Sequence, residues 1–163
     1  MSYIPALSWS GALRLSALTR EPKLKERARE QMQPFMGGEK PAIAEPYQLT
    51  SLAGHLALSD LGEVEHLAAA TKLANDAADF IVAATPEEIV KFRGAWTDDM
   101  FMASSLLSRV SRRRDRHFEG IVGRLLTSYA EKLQRPDGLF IHAVEGPHAW
   151  GRGNGFALLG LTE

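Results

Sequence analysis

The sequence predicts an all-α protein whose helices pair into hairpins stacked as part of a toroid or solenoid. Two observations carry this prediction. Apolar residues recur at helical spacing in successive segments joined pairwise by short turns, and no segment alternates apolar and polar residues long enough to form a strand. The paired segments share little sequence identity, so the repeat is architectural and favours an array of hairpins over a four-helix bundle.

In order along the chain, Trp9, Ala12, Leu13, Leu15, Ala17 and Leu18 stripe a first helix, and "TREP" interrupts it with Pro22 suited to the first turn of the next. That second helix, Lys23 to Met36, turns Leu24, Ala28, Met32 and Phe35 inward and the charges of "KLKERARE" outward, and Gly37 and Gly38 end it. After the proline-broken "EKPAIAEP", Tyr47 to Leu61 and Val64 to Ala84 form a second hairpin hinged at Gly62. "TPEEIVKFRGAW" reads as an irregular connection, and Asp98 to Val110 and Asp115 to Gln134 form a third hairpin around the basic "SRRRDR". "RPDG" is a turn, "LFIHAV" is briefly extended, and "EGPHAWGRGNG" is a glycine-rich loop feeding a helix that starts near Asn154.

Bulk composition narrows the function classes. The 163 residues suit a single domain, and a formal charge of -1 gives no general attraction to nucleic acid or to an anionic membrane. With Cys 0 there is neither a disulfide framework nor a thiolate metal site, as in a reducing compartment. No basic segment leads into an apolar run at the N-terminus, and no stretch approaches the ~20 apolar residues of a membrane span, so a cytoplasmic location is expected.

Two stretches combine the residue types that chemistry needs. In "RGAWTDDMFMASSLL" adjacent carboxylates follow Trp96 at the start of an apolar helix. Helix capping by Thr97 or Asp98, with both acids favoured by the helix dipole, explains them structurally. Functionally, one carboxyl group in a cleft beside an aromatic wall would have its pKa raised by burial and by its neighbour, as an acid/base requires. The second stretch, "RPDGLFIHAVEGPHAWGRGNGF", gathers His142, His148, Trp150 and Arg152 around glycines 151, 153 and 155. Those glycines would permit conformations closed to other residues and a close ligand approach, with Arg152 offering a planar fork to a carboxylate. The spacing is not that of a phosphate-binding loop, and no lysine with serine or threonine follows. His142 and His148 lack a third ligand at metal-site spacing, so no metal and no other cofactor is expected. His55 and His66 lie on apolar helical segments as core-edge or capping residues. The five arginines from Arg109 to Arg116 form a basic patch without interleaved aromatics, which makes them a weaker candidate polyanion site.

At these stretches the sequence resembles glycoside hydrolase family 88 and its sister family 105, the unsaturated glucuronyl and rhamnogalacturonyl hydrolases. "WGRGNGF" at 150–156 is close to the family's W-G-R-G-N-G-W signature, "DGLFIHA" at 137–143 to its D-G-L-x-x-H segment, and "WTDDMFMASSLL" at 96–107 to its W-x-D-x-x-F-M segment. "WSGALRLSALTREPKLKERAREQM" also looks like an early family hairpin. The resemblance implies an (α/α)6 toroid, of which the 163 residues would be the central part as one partial domain. It implies release of a 4,5-unsaturated uronic acid from oligosaccharides left by polysaccharide lyases, through hydration of the vinyl ether. Carried over by position, it makes Asp98 the acid/base, with Asp99 its neighbour. Trp96, His142, Trp150, Arg152, Asn154 and Phe156 become substrate-subsite residues, the last replacing the usual tryptophan. Thr50 in "LTSLAGH" stands where the family commonly carries a second active-site aspartate. An unsaturated uronic-acid oligosaccharide is the expected partner. An alternative reading is a catalytically idle half-toroid that binds or self-assembles through exposed hairpin flanks.

Overall fold

The structure, a computed structural model, describes residues 2–45, 47, 49–83, 96–114 and 117–163. Helices α1 (Tyr3–Thr19) and α2 (Pro22–Met36) form the first hairpin. Arg20 turns the chain with a left-handed φ of 59°, and Glu21 caps α2 by accepting from the amide of Lys23 at 3.4 Å. α1 starts earlier than the apolar stripe predicts, because Pro5 falls in its first turn, where a proline is tolerated. Its buried face is also narrower than that stripe: Ala6, Ser10 and Leu13 are buried, whereas Leu15 and Leu18 are exposed.

The second hairpin follows α3 (Leu49–Leu52) and pairs α4 (Gly54–Glu65) with α5 (Ala68–Ala83). The predicted hinge at Gly62 is displaced. The chain breaks instead at His66, whose left-handed φ of 52° caps α4 while the amide of Leu67 reaches back to the Gly62 carbonyl at 3.2 Å. Gly62 lies inside α4 for a packing reason, since a Cβ there would stand 2.9 Å from the Thr71 amide nitrogen of α5. The predicted connection 85–95 lies outside the described residues.

The third hairpin pairs α6 (Thr97–Arg113) with α7 (Glu119–Leu133). α7 begins after the predicted Asp115, with the Ser111 hydroxyl of α6 accepting from the Phe118 amide at 2.9 Å just before it. The last helix, α8 (Gly151–Thr162), begins at the first of the clustered glycines. α6 packs against α3, α4, α5, α7 and α8, and from Thr97 to Leu107 every residue is buried, as its apolar and small side chains allow on all sides. One core surrounds α6, and a second, smaller one holds Leu13, Ala28, Met32, Leu58 and Leu61 between α1, α2 and α4. The architecture is all-α, part of an (α/α) toroid. Among the described residues the only β pairing is two isolated bridges, Gln134 with Phe140 and Ala143 with Gly146, within the segment joining α7 to α8. No described helix is long and apolar enough to cross a membrane.

Candidate active site

The start of α6 is built by a division of labour between two acids. Consecutive helical residues point about 100° apart, so Asp98 and Asp99 cannot face the same neighbours. Asp99 turns back: its carboxylate accepts the amide of Trp96 at 3.1 Å, while its own amide donates to the Trp96 carbonyl at 2.8 Å. Capping thus falls to Asp99, with Trp96 in the extended cap position, and neither Thr97 nor Asp98 performs it. Thr97 instead donates its amide to the His142 carbonyl at 2.9 Å and its hydroxyl to the Ile141 carbonyl, tying α6 to the segment ahead of α8.

Asp98 faces that segment. It is 2 % exposed, and Oδ1 accepts from Nε of Arg152 at 2.9 Å. Oδ2 lies 3.6 Å from Nδ1 of His142, beyond hydrogen-bond reach, and both atoms are buried without a hydrogen-bond partner. Such orphaned polar atoms are costly in a folded protein, and a pair of them facing each other makes this position a candidate site. Around them the rings form a row. Trp96 lies 5.0 Å from His142, His142 lies 4.8 Å from Trp150, and the Arg152 guanidinium sits 4.5 Å from the centre of the Trp150 ring. Trp96 and Trp150 remain 40 % and 47 % exposed, so this row is also an aromatic surface open to solvent.

Burial pushes the Asp99 carboxyl up to about 7, the Trp96 amide pulling it down and the adjacent Asp98 charge adding to the rise. The acid with the raised pKa is therefore the neighbour of the predicted acid/base. Tyr129 of α7, whose buried hydroxyl has no hydrogen-bond partner, is held above the ordinary phenol range by burial and then by the Asp99 charge.

The glycine-rich stretch is helix and not loop. Neither Gly151, Gly153 nor Gly155 has positive φ, so conformational freedom is not their use. Gly153 lets α8 begin against the Trp150 ring, 3.2 Å from where its Cβ would be, and Gly160, two turns on, brings α8 within 3.0 Å of the Phe101 amide nitrogen of α6 on the same measure. Gly151 and Gly155 face open space.

Trp96, Asp98, His142, Trp150 and Arg152 thus come together, and two other predicted subsite residues do not. Asn154 turns its amide to the backbone, accepting from the Phe140 N–H at 2.8 Å and donating to the carbonyls of Phe140 and Trp150 at 3.0 and 3.1 Å. Phe156 is in the core, 5.6 Å from the Phe101 ring and 5.9 Å from that of Tyr3. Thr50 is half-buried on α3, which packs on α6.

The four described arginines of the basic patch have acidic partners, Arg109 with Asp60 and Glu163 at 2.8 Å, Arg114 with Asp79 at 2.6 Å, Arg112 with Glu163 at 3.9 Å and Arg113 with Glu63 at 4.0 Å, and Arg116 lies outside the described residues. Sequence spacing could not foresee this, since the carboxylates come from α4, from α5 and from Glu163 just past α8. His55 is a core residue, its Nδ1 2.8 Å from the Leu52 carbonyl, and burial lowers its pKa to about 4. Among the described residues no group of three or more His, Asp or Glu side chains could hold a metal ion.

Comparison with curated proteins and with solved structures gives no match. The family model described as Glycosyl Hydrolase Family 88 matches residues 1–163. The chain belongs to glycosyl hydrolase family 88.

Proposed function

We propose that the chain carries the acid/base and the sugar-stacking surface of an unsaturated uronyl hydrolase acting on lyase-generated oligosaccharides of the rhamnogalacturonan or pectin type. The observation that carries the reading is the Asp98 carboxyl group, buried, with one oxygen fixed by Arg152 and the other without a partner beside His142 and the two exposed indoles.

In this reaction protonated Asp98 delivers its proton to C4 of the vinyl ether, and positive charge develops at C5 and the ring oxygen. Water adds at C5 and gives a proton back to the Asp98 carboxylate, leaving a hemiketal. Breaking of the C5–ring oxygen bond makes a C5 ketone and a hemiacetal at C1, which then expels the leaving sugar. The site needs only one acid/base group for this sequence, unlike the opposed pair of an ordinary glycosidase. Arg152 and His142 cover the free carboxylate oxygen and must shift to admit the sugar. Arg152 can do so because its side chain is 47 % exposed, and its guanidinium is then placed for the uronate.

The test follows loss of the absorbance of the conjugated double bond when purified chain meets a lyase-generated unsaturated disaccharide. Turnover is expected, and Asp98→Asn should lower kcat by about 10²- to 10⁴-fold. Full activity in that variant would remove Asp98 from its role. A second reading, self-association of an idle half-toroid, is favoured by the exposed apolar residues Ile4 and Leu18 of α1 and Leu158 and Leu161 of α8. A monomer in size-exclusion chromatography with light scattering would count against it.

A further inference from the structure

Asp99 is more than an acid that happens to adjoin Asp98. Its two hydrogen bonds fix the backbone of Trp96 from both sides, N–H to carboxylate at 3.1 Å and carbonyl to amide at 2.8 Å. Trp96 is one end of the ring row, and its indole meets His142 at 5.0 Å and 35°. The backbone of His142 is separately held by the Thr97 amide, and its Nδ1 faces the orphaned oxygen of Asp98. The first three residues of α6 therefore lock one wall of the site, Thr97 through His142 and Asp99 through Trp96.

We propose that Asp99 is a positioning residue of the Asp98 site: by holding the Trp96 backbone it sets the indole against His142 and so fixes the aromatic wall on which the sugar stacks. The catalytic part of this inference rests on the function proposed above; the positioning part does not. A capping carboxylate at a solvated helix start would be ionised and tolerant of loss. Asp99 is instead 4 % exposed, with Asp98 beside it on its own helix and Tyr129 of α7 near enough for its hydroxyl to feel the Asp99 charge, and burial raises its carboxyl group to about 7. In either protonation state an oxygen remains to accept the Trp96 N–H, which is why an amide can replace it and an alanine cannot.

The test uses ¹⁵N-labelled full chain and its Asp99→Ala and Asp99→Asn variants. In Asp99→Ala the Trp96 amide should exchange about 10-fold faster and the His142 ring protons should lose their indole-induced shift, with Asp99→Asn restoring both. In turnover, Asp99→Ala should raise KM about 10-fold with kcat within about twofold of wild type, and Asp99→Asn should return KM to within about twofold. Should Asp99→Ala fail to fold, the wild-type Trp96 amide still reports, since its chemical shift must follow the titration of the Asp99 carboxyl group, at whatever pH that falls, if the carboxyl group holds it. Unmoved His142 signals in a folded Asp99→Ala protein, or a Trp96 amide shift that does not follow the Asp99 carboxyl titration, overturns the proposal, as does a loss confined to kcat. If the wild-type chain gives no turnover at all, the proposed function fails, while the exchange and ring-shift measurements still decide the positioning.

Discussion

At the C-terminal end of α6, Arg109 is buried between Asp60 and Glu163, each reached at 2.8 Å, and the Ser10 hydroxyl closes on Asp60. Burial opposes the Arg109 charge, but the hydrogen bonds and charges of Glu163 and Asp60 more than offset it and raise its pKa. At the N-terminal end Asp98 is at least as deeply buried, yet one of its oxygens, His142 Nδ1 and the Tyr129 hydroxyl have no hydrogen-bond partner. The same helix thus carries a satisfied ionic cluster that joins α4, α6 and α8, and an unsatisfied one that faces exposed rings. The first is what a fold needs from buried charge, and the second is the arrangement on which the proposed site rests.

The difference can be broken by substitution, and the largest effect should come from the satisfied end. Arg109→Ala removes the buried cation that Asp60 and Glu163 share and should cost about 3–5 kcal/mol in denaturant unfolding. Asp98→Asn, for which the proposed function expects a loss of activity, should leave stability unchanged or raise it. Equal destabilisation by the two would erase the distinction between the ends.

A smaller effect lies in pH dependence. The Asp99 pKa rises from an ordinary 3.8 to about 7 on folding, so the native state binds that proton more tightly. Its contribution is complete below about pH 4 and is lost as pH rises through 7. Asp99→Asn should therefore gain about 2–4 kcal/mol over wild type at about pH 8 relative to about pH 4, measured by urea unfolding. The smallest expected effect tests the contact between α6 and α8. Gly160→Ala should cost about 1–3 kcal/mol by overpacking against Met100 and Phe101. Gly155→Ala, which meets nothing within 4 Å, should stabilise by about 0.5–1 kcal/mol.

Much of this was legible in the residues. Helical periodicity gives the hairpins, and the ordered W-x-D, D-G-L-x-x-H and W-G-R-G-N-G segments mark Asp98, His142, Trp150 and Arg152, which the fold gathers. Glycines misled in both directions. Gly62 reads as a hinge and the cluster at 151–155 as a loop, but Gly62, Gly153 and Gly160 serve close approach to Thr71, Trp150 and Met100. Nothing in local sequence separates a glycine needed for its φ from one needed for its missing side chain. Asn154 and Phe156 carry the same ambiguity, because a motif position can be kept for the frame as well as for the ligand.

By itself the sequence determined that the chain is helical, that its helices pair into hairpins, and where acids, rings and arginine cluster along it, because those properties follow from period, composition and order. Tertiary structure alone decided which of two adjacent aspartates faces Arg152 and His142 and which holds Trp96, since that depends on where a helix starts and what packs across it. It also decided that Arg109 is paired by acids from distant helices while Asp98 keeps an oxygen free. Pairing and burial are properties of neighbours, and neighbours are fixed only when the helices meet.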